Sequence, residues 1–208
     1  MPLNKTQLIL ASASPRRREL LRQAGYRFVT RPPPESREDA LGRSIKALTP
    51  GAYVESMAYL KAAAAIEAHG LKEGLVLGAD TVVDLDGQLI GKPNGDEDAR
   101  QILRRLSGTR HRVLTGLALV DLGTGRRLLA HEVTLVHMRP MTDAEIAAYV
   151  ASGEADGKAG AYALQETADR YVESIQGSYT NVVGLPTELL ERLLKAAGYD
   201  PASLRDLG

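Results

Sequence analysis

The stretch LVLGADTVVDLDGQLIGKP, residues 75–93, limits the fold of this chain more than any other. Two strand-forming runs flank Asp86-Gly87, and a two-residue Asp-Gly loop suits the twist of a β-hairpin. The chain therefore contains a strand, a tight turn and a return strand. Around that hairpin, helix and strand signals alternate. QLILAS (7–12) reads as a short buried strand. Ser14 caps a helix with Pro15 in its first turn, and that helix runs to about Ala24 and stops at Gly25. RFVTRPPPES is a strand that ends in a proline loop, and residues 53–68 are helical by composition. Asp96 opens a helix that closes near Gly108. HRVLTGLALVDL and RLLAHEVTLVHMRP are strands joined by GTGR. Thr142 and Glu145 form a capping box. AGAYALQ and RYVESIQ read as short strands, GSYTNVVGLP as a loop and ELLERLLKAA as a helix. The pattern is mixed α/β (α+β) with several antiparallel neighbours, in one domain over residues 1–208.

Within this frame some residues are out of place for a purely structural chain. Where the first strand gives way to a helix, Ser12, Ser14, Arg16 and Arg17 cluster. The first turn of a helix offers free N–H groups and the positive end of the dipole, so it attracts anions and disfavours cations. Arginines there are either a solvated face or the lining of a polyphosphate site, which suits the guanidinium fork. At 100° per residue Val54, Met57, Ala58, Lys61, Ala65 and Ala68 share one helical stripe, which puts Lys61 on an apolar face. Either its stem packs and its amine reaches water, or the charge has a partner. Asp80 sits inside the buried-looking run VLGADTVV and needs a cation, a metal or a catalytic task. With the turn at Asp86-Gly87, Thr81 lies opposite Lys92 on the return strand, one step from Asp80; strict alternation sets Asp80 on the other face, and a bulge or the strand's end would change that. Two arginines, two lysines and a buried aspartate make a coherent set: cations for a polyphosphate, a carboxylate for a divalent metal or for activating water.

Composition removes rival classes. The 26 basic and 26 acidic residues cancel, so no whole-molecule field gathers nucleic acid. With one phenylalanine, eight tyrosines and no tryptophan, a base-stacking platform is a poor fit. The chain has no cysteine and only four well-separated histidines, which excludes thiolate chemistry and zinc-type spacing. No apolar run approaches the roughly 20 residues that span a bilayer, and MPLNKTQLIL lacks a signal-peptide core. The expectation is a cytoplasmic protein with neither nucleic-acid nor membrane partners.

The motifs LASASPRRRELL, LGADTVV, GKP, KAGAYALQ and IQGSYTNVVGLP, in this order along residues 8 to about 190, resemble the Maf family of nucleoside triphosphate pyrophosphatases. The resemblance implies an elongated mixed sheet with flanking helices, related to the inosine triphosphatases, with two lobes around a cleft. It implies a homodimer that hydrolyses a nucleoside triphosphate between the α and β phosphates with Mg²⁺ or Mn²⁺. SPRR, GADT, AGAY and the GSYTNVVGLP stretch match the branch acting on dTTP and UTP rather than the one acting on 7-methyl-GTP. The same reaction on a modified pyrimidine nucleotide or 7-methyl-GTP, or a nucleotide-binding regulator of cell division with little turnover, are the alternatives. Carried over residue by residue, Asp80 is the proton acceptor or metal-bound carboxylate. Ser12, Ser14, Arg16, Arg17, Lys61 and Lys92 serve the phosphates. Arg16, Thr81 and Gln165 bear on base choice. A glutamine amide also fits the O4 and N3–H edge of uracil and thymine. Glu35 is expected to complete the metal site, with Glu38 as the other candidate. Two positions depart from the family pattern: Gly157, with Asp156 before it, stands where the family has an acidic residue, and Glu166 stands where it has glycine.

Overall fold

The structure, a computed structural model, describes residues 6–34, 48–164 and 170–205. Among these the order is β1 (Leu8–Leu10), α1 (Pro15–Gln23), β2 (Phe28–Thr30), α2 (Pro50–His69), β3 (Leu75–Leu85), β4 (Gln88–Ile90), α3 (Asp96–Leu106), β5 (Arg110–Asp121), β6 (Arg127–Met138), α4 (Asp143–Ala151), β7 (Val172–Gln176), α5 (Tyr179–Val183) and α6 (Thr187–Ala197). The strands join in the order β2-β1-β3-β5-β6-β7, with β4 on β3. This is the expected mixed α/β class. The backbone divides into two compact units, one of residues 1–80, 115–131 and 184–208, the other of 81–114 and 132–183.

In the first unit β1 lies between β2 and β3. It pairs in parallel with β2 (Leu10↔Thr30) and with β3 (Leu10↔Leu77). Parallel neighbours need crossovers, and α1 and α2 supply them. The Ser14 hydroxyl accepts the Arg17 N–H and Pro15 opens α1, as expected. Thr49 caps α2 in the same way and Gly70, at φ 59°, ends it. One face of the sheet packs Ile9, Ala11, Val76 and Val120 against Ala62 and Ala65 of α2. The buried stripe of α2 ends at Ala65, and Ala68 in the last turn is exposed.

In the second unit β3 turns at Asp86 (φ 52°) and Gly87 (φ 86°) into β4, the hairpin expected from the sequence. Pairing stops at Ile90, so Lys92 lies in a bend beyond the return strand rather than on it. The core joins Val83 and Ile90 to Leu103 and Leu106 of α3, Val136 and Met138 of β6, and Tyr149 of α4. The Thr142–Glu145 capping box is present.

Two expected elements differ. AGAYALQ is not a strand: residues 159–161 form a 3₁₀ turn with Gly160 at φ 73° and Ala161 at φ 58°, and left-handed backbone cannot continue a ladder. GSYTNVVGLP is not all loop. The Ser178 hydroxyl accepts the Asn181 N–H, capping the short helix α5. Asn181 then donates to the Val113 carbonyl at 3.0 Å and to Thr134 Oγ1 at 2.9 Å.

Candidate active site

The site grows from the carboxyl end of β1 and from the stretch of β3 just past its pairing with β1. The Ala11 N–H still donates to the Leu77 carbonyl at 2.8 Å, so the chain leaves the ladder only at Ser12. Ser12 is buried, and its hydroxyl accepts the Ser14 N–H and one Arg17 Nη1–H, both at 3.2 Å. Arg17 Nε donates to the Gly184 carbonyl at 2.9 Å. The guanidinium thus turns back into the SPRR loop and ties it to the NVVGLP segment. Part of the unfavourable charge at the start of α1 is offset there by a carbonyl and a hydroxyl. Arg16 is half-buried and engaged.

Asp80 lies on β3 three residues beyond Leu77, the last residue paired with β1. It is 9% exposed. Its partner is Lys61, whose Nζ lies 2.8 Å from Oδ1 and which is itself 7% exposed. The lysine on the apolar stripe and the aspartate in the apolar strand therefore answer each other. Two glycines make the pairing possible. A Cβ on Gly78 would strike the Ala58 carbonyl, and one on Gly116 would strike the Val54 backbone. Without them α2 could not lie close enough on β3 and β5 for Lys61 to reach. Glycine inside a strand pattern marks such an approach, so LGAD and LTG carried the signal. Tyr53, in the first turns of α2, is a further neighbour. Burial and then the charge of Asp80 raise its phenol above the ordinary value.

The chain leaves β1 toward β2 and then returns across β1 to β3, which makes a switch point where the β1–β3 ladder ends. Open α/β sheets bind ligands there. The structure thus brings Ser12, Ser14 and Arg17 together by direct bonds, and Lys61 and Asp80 by another. Thr81, half-buried, and Lys92, exposed, belong to the second unit. Glu35, Glu38, Gln165 and Glu166 lie outside the described residues.

Among the described residues no three His, Cys, Asp or Glu side chains group to hold a metal. Asp80 nevertheless fits one. It is a hard oxygen donor with one oxygen bonded to Lys61, and Mg²⁺ is commonly held by one or two carboxylates plus substrate phosphates rather than by a protein cage. No helix among the described residues is long and apolar enough to cross a membrane.

The model of the Maf-like protein family matches residues 7–197. The chain belongs to the Maf family. Its relatives include the dTTP/UTP pyrophosphatase of Pelotomaculum thermopropionicum, 45% identical over 93% of this chain and 98% of that protein. The enzyme of the same name from Symbiobacterium thermophilum is 46% identical over 93% and 95%. That from Chromobacterium violaceum is 41% identical over 96% and 99%. The motifs of this Maf chain thus meet in space as well as in order: SPRR touches NVVGLP through Arg17 and Gly184.

Proposed function

We propose that this chain hydrolyses dTTP and UTP between the α and β phosphates, releasing the monophosphate and pyrophosphate. The observation that carries the reading is the Asp80–Lys61 pair at the switch point, on the strand next to the one that leads into the serines and arginines that open α1. The names of its relatives agree with it. Arg16, Arg17, Lys61 and Lys92 neutralise the triphosphate, with Ser12 and Ser14 donating to its oxygens. Asp80 orients the attacking water and takes its proton as the oxygen bonds to the α phosphorus. The electron pair of the broken bond leaves on pyrophosphate. Mg²⁺ or Mn²⁺ bound by Asp80, with Glu35 or Glu38, would supply charge stabilisation for the leaving group. Gln165 and Thr81 read the pyrimidine edge. The same reading makes the chain a cytoplasmic homodimer that clears selected or modified nucleotides from the pool.

A panel of nucleoside triphosphates, assayed for pyrophosphate with Mg²⁺ and with Mn²⁺, tests this. UTP and dTTP should lead, ahead of CTP and 7-methyl-GTP. Orthophosphate in place of pyrophosphate, or preference for 7-methyl-GTP, would overturn it. Light scattering after gel filtration checks the dimer.

A further inference from the structure

We infer that Gly160 and Tyr162 are positioning residues for Lys92: the buried turn of residues 158–162 clamps the Gly91–Pro93 loop and so fixes where the lysine amine can go. The inference rests on the reading of Lys92 as a phosphate residue. Gly91 follows directly on Ile90, the last paired residue of β4, and its carbonyl accepts the Gly160 N–H at 3.0 Å. Lys92 is the next residue, exposed and in a bend. Its side chain therefore swings from a backbone tied on its N-terminal side.

The turn that makes this tie is itself rigid. The Ala161 N–H donates to the Lys158 carbonyl at 3.0 Å, and Ala161 is fully buried at φ 58°. A non-glycine residue there is uncommon, and it persists only where surroundings hold it. Gly160 has no room for a side chain, since a Cβ would lie 2.7 Å from Val83 Cγ2 and 3.3 Å from Leu106 Cδ1. Beyond the turn, Tyr162 is buried and its hydroxyl lies 2.8 Å from His111 Nε2. The Thr109 hydroxyl donates to the Leu106 carbonyl at 2.7 Å. The same hydroxyl lies 3.4 Å from His111 Nδ1, so both ring nitrogens of His111 have a partner. A chain of contacts thus runs Thr109, His111, Tyr162, Gly160, Gly91, all within the second unit.

The test is a double-mutant cycle on kcat/KM for UTP, dTTP and CTP. Gly160→Ala drives a methyl into Val83 and endangers the fold, so Tyr162→Phe, which removes one oxygen, is the working variant. Tyr162→Phe should lower kcat/KM about tenfold, by the same factor for all three nucleotides. Lys92→Ala should lower it further, and adding Tyr162→Phe to Lys92→Ala should cost nothing more. Amide exchange of the 88–94 peptide should quicken in Tyr162→Phe while that of 8–12 is unchanged. If the two losses multiply in the double variant, or if Tyr162→Phe keeps wild-type kcat/KM and exchange, the clamp is refuted and the turn is merely structural. If Lys92→Ala alone keeps wild-type turnover, the assignment of Lys92 to the phosphates fails, and the clamp loses its object.

Discussion

On the reading proposed above, Asp80 has two jobs that one substitution confounds. As the base or metal ligand it should be needed for turnover, and Asp80→Asn should lower kcat by about 10²–10⁴. As the counter-charge of a buried ammonium 2.8 Å away it also holds the fold. Removing one partner of a buried pair costs about 3–5 kcal/mol, whereas removing both charges is often nearly neutral. Asp80→Asn should therefore lower the thermal midpoint, and Asp80→Asn/Lys61→Met should recover much of the midpoint and none of the activity. Activity that returns with the midpoint would make Asp80 structural only. Phosphate and base contacts should separate too. Arg16→Ala should weaken UTP, dTTP and CTP turnover alike. Gln165→Ala should lower the first two more than CTP, about tenfold or more, the scale of a hydrogen bond to a buried polar edge. Equal loss on all three would move Gln165 out of the base pocket. Sequence exposed Asp80 and Lys61 as residues out of place because buried charge is rare, and Arg17 because a cation at the start of a helix is disfavoured. It did not expose Lys61 as the partner, since 19 residues and a crossover separate it from Asp80 and only the seating of α2 joins them.

At the scale of elements, that seating is the exposed weakness. Gly116→Ala should push α2 away from β5, because its Cβ meets the Val54 and Glu55 backbone rather than a yielding side chain. Overpacking of this kind typically costs about 1–3 kcal/mol. The denaturant midpoint should fall, and kcat/KM should fall with it as Lys61 withdraws. A midpoint that drops with kinetics intact would show that the close approach serves packing alone. Caps and turns were legible beforehand because their chemistry is local: Ser14, the Asp86-Gly87 loop and the Thr142–Glu145 box all act within four residues. The 158–162 turn was not, because nothing in AGAYALQ announces an alanine at positive φ. Its conformation is set by Val83, Leu106 and His111, distant in sequence. The five residues of α5 are likewise too few for a periodic signal, and Ser178 and Asn181 hold them through bonds to β5 and β6.

For the whole molecule, His111 predicts an acid limb of stability. Burial lowers its imidazole from the ordinary 6.5 to about 4, so the folded chain keeps it neutral. Between those values the unfolded chain binds a proton that the folded chain refuses. The contribution is complete above about pH 6.5 and is lost progressively down to about pH 4, on the order of 3 kcal/mol. Glu145, held down to about 2 by Arg139 and the Thr142 N–H, adds a loss in the same direction at lower pH. Urea midpoints at pH 7.5 and 5.0 should differ in the wild type, and the gap should shrink in His111→Gln. An unchanged gap would assign the acid limb to other groups. One further consequence lies in how the first unit is assembled from three separate pieces of chain, the third beginning at Gly184. A ribosome releases the chain from its amino end. The second unit has all its residues once Val183 has emerged, while β1, made among the first, still waits for the carbonyl that anchors Arg17 and for the Tyr26–Arg205 bridge. Synthesis should therefore protect the second unit first, and proteolysis of ribosome-bound chains that end at Val183 followed by a linker filling the exit tunnel should spare residues 132–164 and cut near α1. The nascent chain would thus carry its SPRR loop unfinished until Gly184 has been made, and the segment from Gly184 onward would decide when an anion site first exists.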